Sequence, residues 1–454
     1  MPTIPIHIQP GRLPPFWERS AIYFANLPSL FYGNEGETHE LMEMVGGIQS
    51  YGGRLLPILN LVFRGDNLLV LEQKPDDHLT GYFKKDLNLA LPEIMILSHR
   101  QYLALAETQP PPPGSVTARA LSRLDDHPAL WVDGFVVDEV LERIAPLLGK
   151  RTLTTCEGSK QGNNKLLLHQ FLETRQWDRF DTHIARTRKQ VPQLLRALDQ
   201  AGYARAALKS QIGASGIGMM RLDTRQAHAA SIPDHFFYEG PCLVQGWLDE
   251  TMKNVRRIGS PSVQLFLSDD GVYLFDLTEQ ILSNNSVHEG NLAFPPYLRD
   301  EASLKNRILE QGGRIGQWLH GKGYRGTASS DFLIVERGDD VSVITCELNA
   351  RITGATYPSV LARHFRPEGS WLMRNLKLRT PMEGVDLLAL LDKAGYLYHR
   401  EDDSGILPIN FNADDTGQIV KGQFLFLADE ADDCMQLLLD AETVLPVKWT
   451  YDRD

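Results

Sequence analysis

Apolar and polar positions follow two rhythms along this chain. Before Pro110 the apolar residues come in short, nearly continuous runs: Ser20-Ala-Ile-Tyr-Phe-Ala-Asn26, Asn67-Leu-Leu-Val-Leu71 and Glu93-Ile-Met-Ile-Leu97. Such runs, bounded by polar residues, predict buried strands. Between the first two, Glu37 to Val45 predicts a helix that Gly46-Gly47 ends. The prolines from Pro110 to Pro113 donate no backbone hydrogen bonds and predict a stiff surface connection.

From Thr152 the texture changes. Thr154-Thr-Cys-Glu-Gly-Ser-Lys-Gln-Gly-Asn-Asn164 is polar and glycine-bearing, and a helix opens after it with Leu167, Phe171 and Leu172 on one face. A second helix is predicted from Val191 to Ala201, then short strands at Arg205–Lys209, Gly218–Leu222 and Cys242–Trp247. Ser268-Asp-Asp-Gly271 is a turn sequence between two apolar runs and predicts a hairpin. Leu304, Ile308, Ile315 and Leu319 share one helical face. A second hairpin is predicted through Arg337-Gly-Asp-Asp340, joining Asp331–Val335 to Val341–Leu348. The tail reads as helix (Val385–Ala394), strands near Ile406–Phe411 and Gly422–Leu427, and a last helix near Asp429–Asp440.

A length of 454 residues exceeds one ordinary core, so two or three domains are expected. A hydrophobic fraction of 43% and a charged fraction of 23% exclude a largely disordered chain. Lysines and arginines number 46 against 58 acids, a net charge of −12, and no basic run marks a nucleic-acid partner. No apolar run reaches the roughly 18 residues that cross a bilayer, so no membrane partner is expected. The opening Met1-Pro-Thr-Ile-Pro lacks the pattern of a secretory signal, and a cytoplasmic location is expected. Cys156, Cys242, Cys346 and Cys434 have neither C-x-x-C nor zinc-finger spacing, so reduced thiols are expected.

Cys346-Glu-Leu-Asn-Ala-Arg-Ile-Thr-Gly354 carries the clearest chemistry. Glu347 and Asn349 are two apart in a strand and leave the same face, with Arg351 continuing that parity. A carboxylate, an amide oxygen and a guanidinium suit a hard cation beside a phosphate. Folding the hairpin about Gly338 sets Asp331 opposite Glu347, and a divalent ion between the two would remove their repulsion. A second stretch, Ala207-Leu-Lys-Ser-Gln-Ile-Gly-Ala-Ser-Gly-Ile-Gly218, delivers Lys209 into a glycine loop whose N–H groups, around Ser215 and Gly216, can close on phosphate oxygens. Its G-x-x-G-x-G spacing is neither the Rossmann nor the Walker pattern. The G-x-x-x-x-G-K match at Gly316–Gly323 lacks the Ser or Thr that holds magnesium. In the third stretch, Gln245 to Leu248, Trp247 included, can form an adenine slot, and Glu250 or Asp249 can hold ribose hydroxyls.

The order of these stretches resembles the ATP-grasp superfamily over roughly residues 150 to 370, and the layout resembles the peptide ligases with a pre-ATP-grasp domain. The resemblance implies a multidomain α/β and α+β architecture. Residues 1–150 would form the N-terminal α/β domain, 151–372 the ATP-grasp region and 373–454 a small C-terminal α+β domain. It makes Lys165, in Asn164-Lys-Leu-Leu-Leu-His-Gln170, the first nucleotide lysine and Lys209 the second. Asp331, Glu347 and Asn349 become ligands of Mg²⁺, two ions being expected and Mn²⁺ a substitute, and Arg351 the catalytic arginine. The implied activity is an ADP-forming carboxylate–amine ligase that acts through an acyl phosphate. Its substrates would be ATP with a small-molecule carboxylate and amine, an amino acid or short peptide, and a homodimer is compatible with it. The alternatives are an ATP-binding regulator without ligase activity and an ATP-grasp enzyme with a non-amine acceptor. Asn284 to Asn291 is expected either to line the substrate pocket or to be a solvated connection.

Overall fold

The computed structural model describes residues 4–45, 51–107, 109–226, 231–249, 252, 254–282, 288–338, 340–444 and 449–450. The apolar runs before Pro110 become parallel strands. Their sheet runs Glu93–Ile96, Leu68–Leu71, Ala21–Phe24, Trp131–Gly134, Arg151–Thr152. Ala21–Phe24 and Leu68–Leu71 are buried throughout, as strands covered on both faces must be. Helices such as Val116–Asp126 and Glu139–Leu147 supply Leu124 and Ile144 to one of those faces.

A second sheet is antiparallel, ordered Thr182–Ala185, Cys242–Gly246, Arg205–Lys209, Met219–Asp223. The amphipathic helix Val191–Gln200 packs on it through Val191, Leu195 and Leu198. The third sheet has 11 strands. Both hairpins foreseen in the sequence lie in it: Pro261–Leu267 with Val272–Leu282, and Gly326–Arg337 with Asp340–Asn349. Helix Ala302–Gly321 covers it with Ile308, Ile315 and Leu319.

Three features differ from the sequence reading. The polar stretch after Thr154 is largely a helix, Cys156–Gly162, capped by the Thr155 hydroxyl, which accepts from the Gly158 N–H at 2.9 Å. Its glycines and polar residues are poor helix formers. Packing selects them: a Cβ on Gly162 would lie 2.6 Å from Ala350 Cβ and Leu319 Cδ1. The strand Ile6–Ile8 pairs in parallel with Val272–Leu274, which no alternation in so short a segment announces. The boundary at 372/373 falls inside the strand Ser370–Met382, and the strands Gly405–Ala413 and Ile419–Ala428 extend the same 11-stranded sheet. All four cysteines are free, with Cys242 and Cys434 buried. Among the described residues no helix is long and apolar enough to cross a membrane.

Candidate active site

Two elements bring the first cations in. Asn164 caps the helix Lys165–Glu173, its side chain accepting from the Leu167 N–H at 3.0 Å, so Lys165 stands in the first turn. Lys209 ends the strand Arg205–Lys209, where the chain leaves the sheet for the glycine loop. In that loop Ser215, Gly216 and Gly218 have positive φ. Gly218 is fixed by space as well, since a Cβ there would lie 2.2 Å from the Ser210 hydroxyl. The Lys165 ammonium donates to the Gly213 carbonyl at 3.0 Å and pairs with Glu347 at 2.9 Å.

The carboxylates come from the long hairpin. Its register sets Asp331 opposite Glu347 and Ser329 opposite Asn349, with a bulge after Asp331. The Ser262 hydroxyl donates to Asp331 at 2.6 Å, and the Asn349 amide donates to its other oxygen at 3.0 Å. Burial, abetted by Glu347, pushes the Asp331 carboxyl up to about 6, against the hydrogen bond from Ser262. Burial works on Glu347 in the same direction, but Lys165, Arg351 and Lys209 outweigh it and hold Glu347 below the ordinary range. Lys209 is held low, chiefly by burial, with Cys346 and Glu347 opposing. Burial pushes the Cys346 thiol up to about 12 in spite of Lys209.

These groups share one cleft. Lys165, Lys209, Ser215, Gly216, Gln245, Trp247, Leu248, Asp331 and Glu347 all line it, with apolar walls from Phe180, Met219 and Leu333. Asn349 and Arg351 stand behind that lining. Asn349 reaches Asp331, while the Arg351 guanidinium donates to Asn163 Oδ1 at 2.6 Å. Glu250 lies outside the described residues, as do 284–287 of the segment expected near the substrate. Asp249 pairs with Arg205 at 3.6 Å and lines an adjoining polar pocket with Arg221 and Arg257.

The donor set fits magnesium in chemistry: two carboxylates that repel across a strand pair, with an amide beside them. Among the described residues no three His, Cys, Asp or Glu side chains gather, so a magnesium ion here would take its remaining ligands from phosphate oxygens and water. Sequence reasoning missed Asn163 and Ser262, and also Gln280 and Arg257, which line the same cleft. Asn163 Oδ1 also accepts from the Ala350 N–H at 3.1 Å, clamping the strand end that carries Arg351. Its partners are 187 and 188 residues away, and no local spacing signals that.

No family model matches the chain. A curated relative, the "[Butirosin acyl-carrier protein]--L-glutamate ligase" of Niallia circulans, is 30% identical over 176 residues. That alignment spans 38% of this chain and 39% of the relative's length. Among solved structures, N5-carboxyaminoimidazole synthetase from Staphylococcus aureus superposes with a TM-score of 0.53 at 10% identity, covering 95% of this chain and 99% of that one. The N5-carboxyaminoimidazole synthase of Aspergillus clavatus, in complex with ADP and its ribonucleotide, gives 0.54 at 13%, over 94% and 98%. Biotin carboxylase from Campylobacter jejuni gives 0.54 at 12%, over 95% and 92%. Identities this low speak to architecture alone: the chain has the ATP-grasp fold.

Proposed function

We propose that the protein is an ATP-dependent carboxylate–amine ligase that releases ADP and phosphate. The observation that carries this reading is the convergence of Lys165, Lys209 and the Asp331–Glu347 pair on one cleft beneath a glycine loop. Phosphoryl transfer needs neutralised charge and alignment more than acid–base help, and this cleft offers both. Lys165 and Lys209 bind phosphate oxygens as point charges, and Gln245 to Leu248 hold the base. Asp331, Glu347 and Asn349 would hold magnesium, two ions with Mn²⁺ as a substitute, which when bound would neutralise charge on the phosphates. Arg351, held by Asn163 behind the cleft lining, adds positive charge on the Glu347 side of the transferred group. The loop 213–218 covers it and keeps water from the acyl phosphate.

The chemistry balances in two steps. A substrate carboxylate oxygen takes the γ-phosphoryl group, and the bond to the β-phosphate oxygen breaks to leave ADP. An amine nitrogen then attacks the acyl carbon, the carbon–oxygen bond to phosphate breaks, and the amine loses a proton. The curated relative is named for L-glutamate and an acyl-carrier protein; from this we carry over an amino acid as one substrate. A cytoplasmic location suits an enzyme that draws on ATP. Hydroxylamine in place of the amine tests the reading: a hydroxamate is expected only with ATP and magnesium, together with ADP. Hydroxamate with AMP would identify an adenylate-forming enzyme and overturn it. ADP without hydroxamate would favour the regulator or a simple ATPase.

A further inference from the structure

Arg351, the arginine of the proposed phosphoryl transfer, is held by a neutral side chain. Its guanidinium donates to Asn163 Oδ1 at 2.6 Å, and the Ala350 N–H donates to the same oxygen at 3.1 Å. The Asn163 amide nitrogen donates to the Ala350 carbonyl at 3.2 Å and to the Ser159 carbonyl at 2.9 Å. One buried amide thus engages both backbone groups of Ala350 and the side chain that follows. Its orientation is fixed, since a flipped amide would set nitrogen against the Ala350 N–H and oxygen against the Ala350 carbonyl. Gly162 lets the helix end approach this closely, because a Cβ there would lie 2.6 Å from Ala350 Cβ.

The anchor continues into the N-terminal sheet unit. The Asn163 amide nitrogen also lies 3.4 Å from the Tyr32 hydroxyl, and that hydroxyl is hydrogen-bonded to Ser159 Oγ at 2.7 Å. Ser159 is fully buried, and its Oγ accepts from the Val137 N–H at 3.2 Å, just beyond the strand Trp131–Gly134. Tyr32 ends the short helical turn Leu27–Phe31 with φ +46°, a left-handed backbone that a tyrosine adopts only where its surroundings hold it. Burial raises the Tyr32 phenol pKa against Ser159, Asn163 and Arg351, so the hydroxyl keeps its proton for hydrogen bonding. The contacts run from two loops of the parallel sheet, through the helix Cys156–Gly162, to the strand end that carries Arg351.

A guanidinium that stabilises a phosphoryl group in transit must be aimed without being discharged. A carboxylate partner would aim it and cancel part of its field, whereas an amide oxygen aims it and leaves the charge intact. Fixing a long side chain before substrate arrives also removes the entropy cost of ordering it during the reaction. We propose that Tyr32, Ser159 and Asn163 are positioning residues that act through Arg351, so that the N-terminal unit helps to set the arginine on which phosphoryl transfer depends. The proposal rests on the ligase reading for the task of Arg351; the chain of contacts stands on its own.

Turnover of the full chain is read as ADP release with ATP, magnesium, hydroxylamine and a mixture of the standard amino acids. Asn163→Ala is expected to lower kcat about 10²-fold and Tyr32→Phe about fivefold, with affinity for a non-hydrolysable ATP analogue changed less than about twofold. In an Arg351→Lys background, which keeps the charge and loses the planar fork, Tyr32→Phe should cost less than about twofold. Denaturant unfolding supplies a second cycle that needs no substrate. There Tyr32→Phe and Arg351→Lys should be non-additive by about threefold or more in the unfolding equilibrium constant. If Asn163→Ala does not fold, Tyr32→Phe, which removes one oxygen atom, carries both tests; if no amino acid drives ADP release, the unfolding cycle decides alone. Equal losses from Tyr32→Phe in both backgrounds, or additive unfolding, would overturn the proposal, and ADP with hydroxamate would still uphold the ligase reading. Hydroxamate with AMP would sink the ligase reading, and non-additive cycles would keep the positioning chain.

Discussion

The two charged regions of this molecule are built on opposite plans. In the cleft under the glycine loop, cations and carboxylates answer each other: Lys165 holds Glu347 at 2.9 Å, and Arg351 and Lys209 act on the same carboxylate. Around Gly354, packing sets the cations: Arg54 lies 5.0 Å over the Tyr357 ring and Arg374 reaches Glu289 at 3.4 Å. A compensated site is stable without its ligand, but an incoming phosphate must compete for lysines already engaged. In the other region an aromatic ring fixes the guanidinium, as Tyr357 does for Arg54. The first plan suits a ligand that comes with its own metal counter-ions.

Breaking the compensation should have the largest effect. Glu347→Gln leaves Lys165, Lys209 and Arg351 facing Asp331 alone. Turnover should fall about 10²–10³-fold or more while the fold survives, as read by ADP release and a melting curve. Near wild-type turnover would mean the hairpin is not the catalytic centre. Lys209→Ala removes a point charge that serves bound ATP and transition state alike, so affinity for a non-hydrolysable ATP analogue should drop roughly 10–100-fold by calorimetry. An unchanged affinity would make the glycine loop an ordinary hairpin connection.

The smallest effect sharpens the comparison with its sign reversed, at a place where acids crowd. Glu37 is buried against the root of the glycine loop, accepting from the Ser210 hydroxyl at 2.6 Å. Burial pushes its carboxyl up to about 7; Ser210 and Lys165 oppose, while Glu239 and Glu40 add. The folded state therefore binds a proton that the unfolded chain releases near pH 4.5. The stability this confers is complete below that pH and is lost as pH rises through 7. Glu37→Gln should flatten the decline, gaining about 2 kcal/mol over wild type between pH 5 and pH 8 at roughly 1.4 kcal/mol per pH unit. Denaturant midpoints at the two pH values measure it. Parallel midpoints for the two proteins would show that Glu37 is ionised in the fold.

The site hairpin was legible in the sequence because its information is local. A turn through Gly338 and a two-residue side-chain period suffice to place Asp331 opposite Glu347, and the register agrees. The same holds for the buried runs of the parallel sheet; Lys165 entered only through the resemblance to the ATP-grasp superfamily, and the structure sets it in the first turn after the Asn164 cap. What escaped has distant partners. Helix Cys156–Gly162 is selected by contacts of Gly162 with Ala350 and Leu319, and Asn163 by hydrogen bonds to the Arg351 strand end. Arg54 and Tyr357 meet across 303 residues of chain, and neither belongs to a motif. Such residues look like ordinary surface or core in one dimension, since only folding gives them neighbours.

The sheet that runs from the hairpin to the C-terminal strands bears on how this chain could be recombined. Ser370–Met382 has Pro261–Leu282 and its neighbours on one side, through His288–Ala293, and Ile419–Ala428 on the other. A chimera joined at residue 372 would cut a strand in two, and a truncation after Met382 would strip one flank of that strand bare. Its newly open edge alternates apolar Leu372, Leu376 and Leu378 with unpaired backbone groups, a template for adding another chain. Such a truncation should elute as aggregates in size-exclusion chromatography, whereas grafts that exchange the whole segment from Gly369 onward should stay monodisperse. Monodisperse truncated protein would show that the sheet tolerates the cut. If it does not, the C-terminal strands are inherited together with the hairpin Gly326–Asn349, as parts of one sheet.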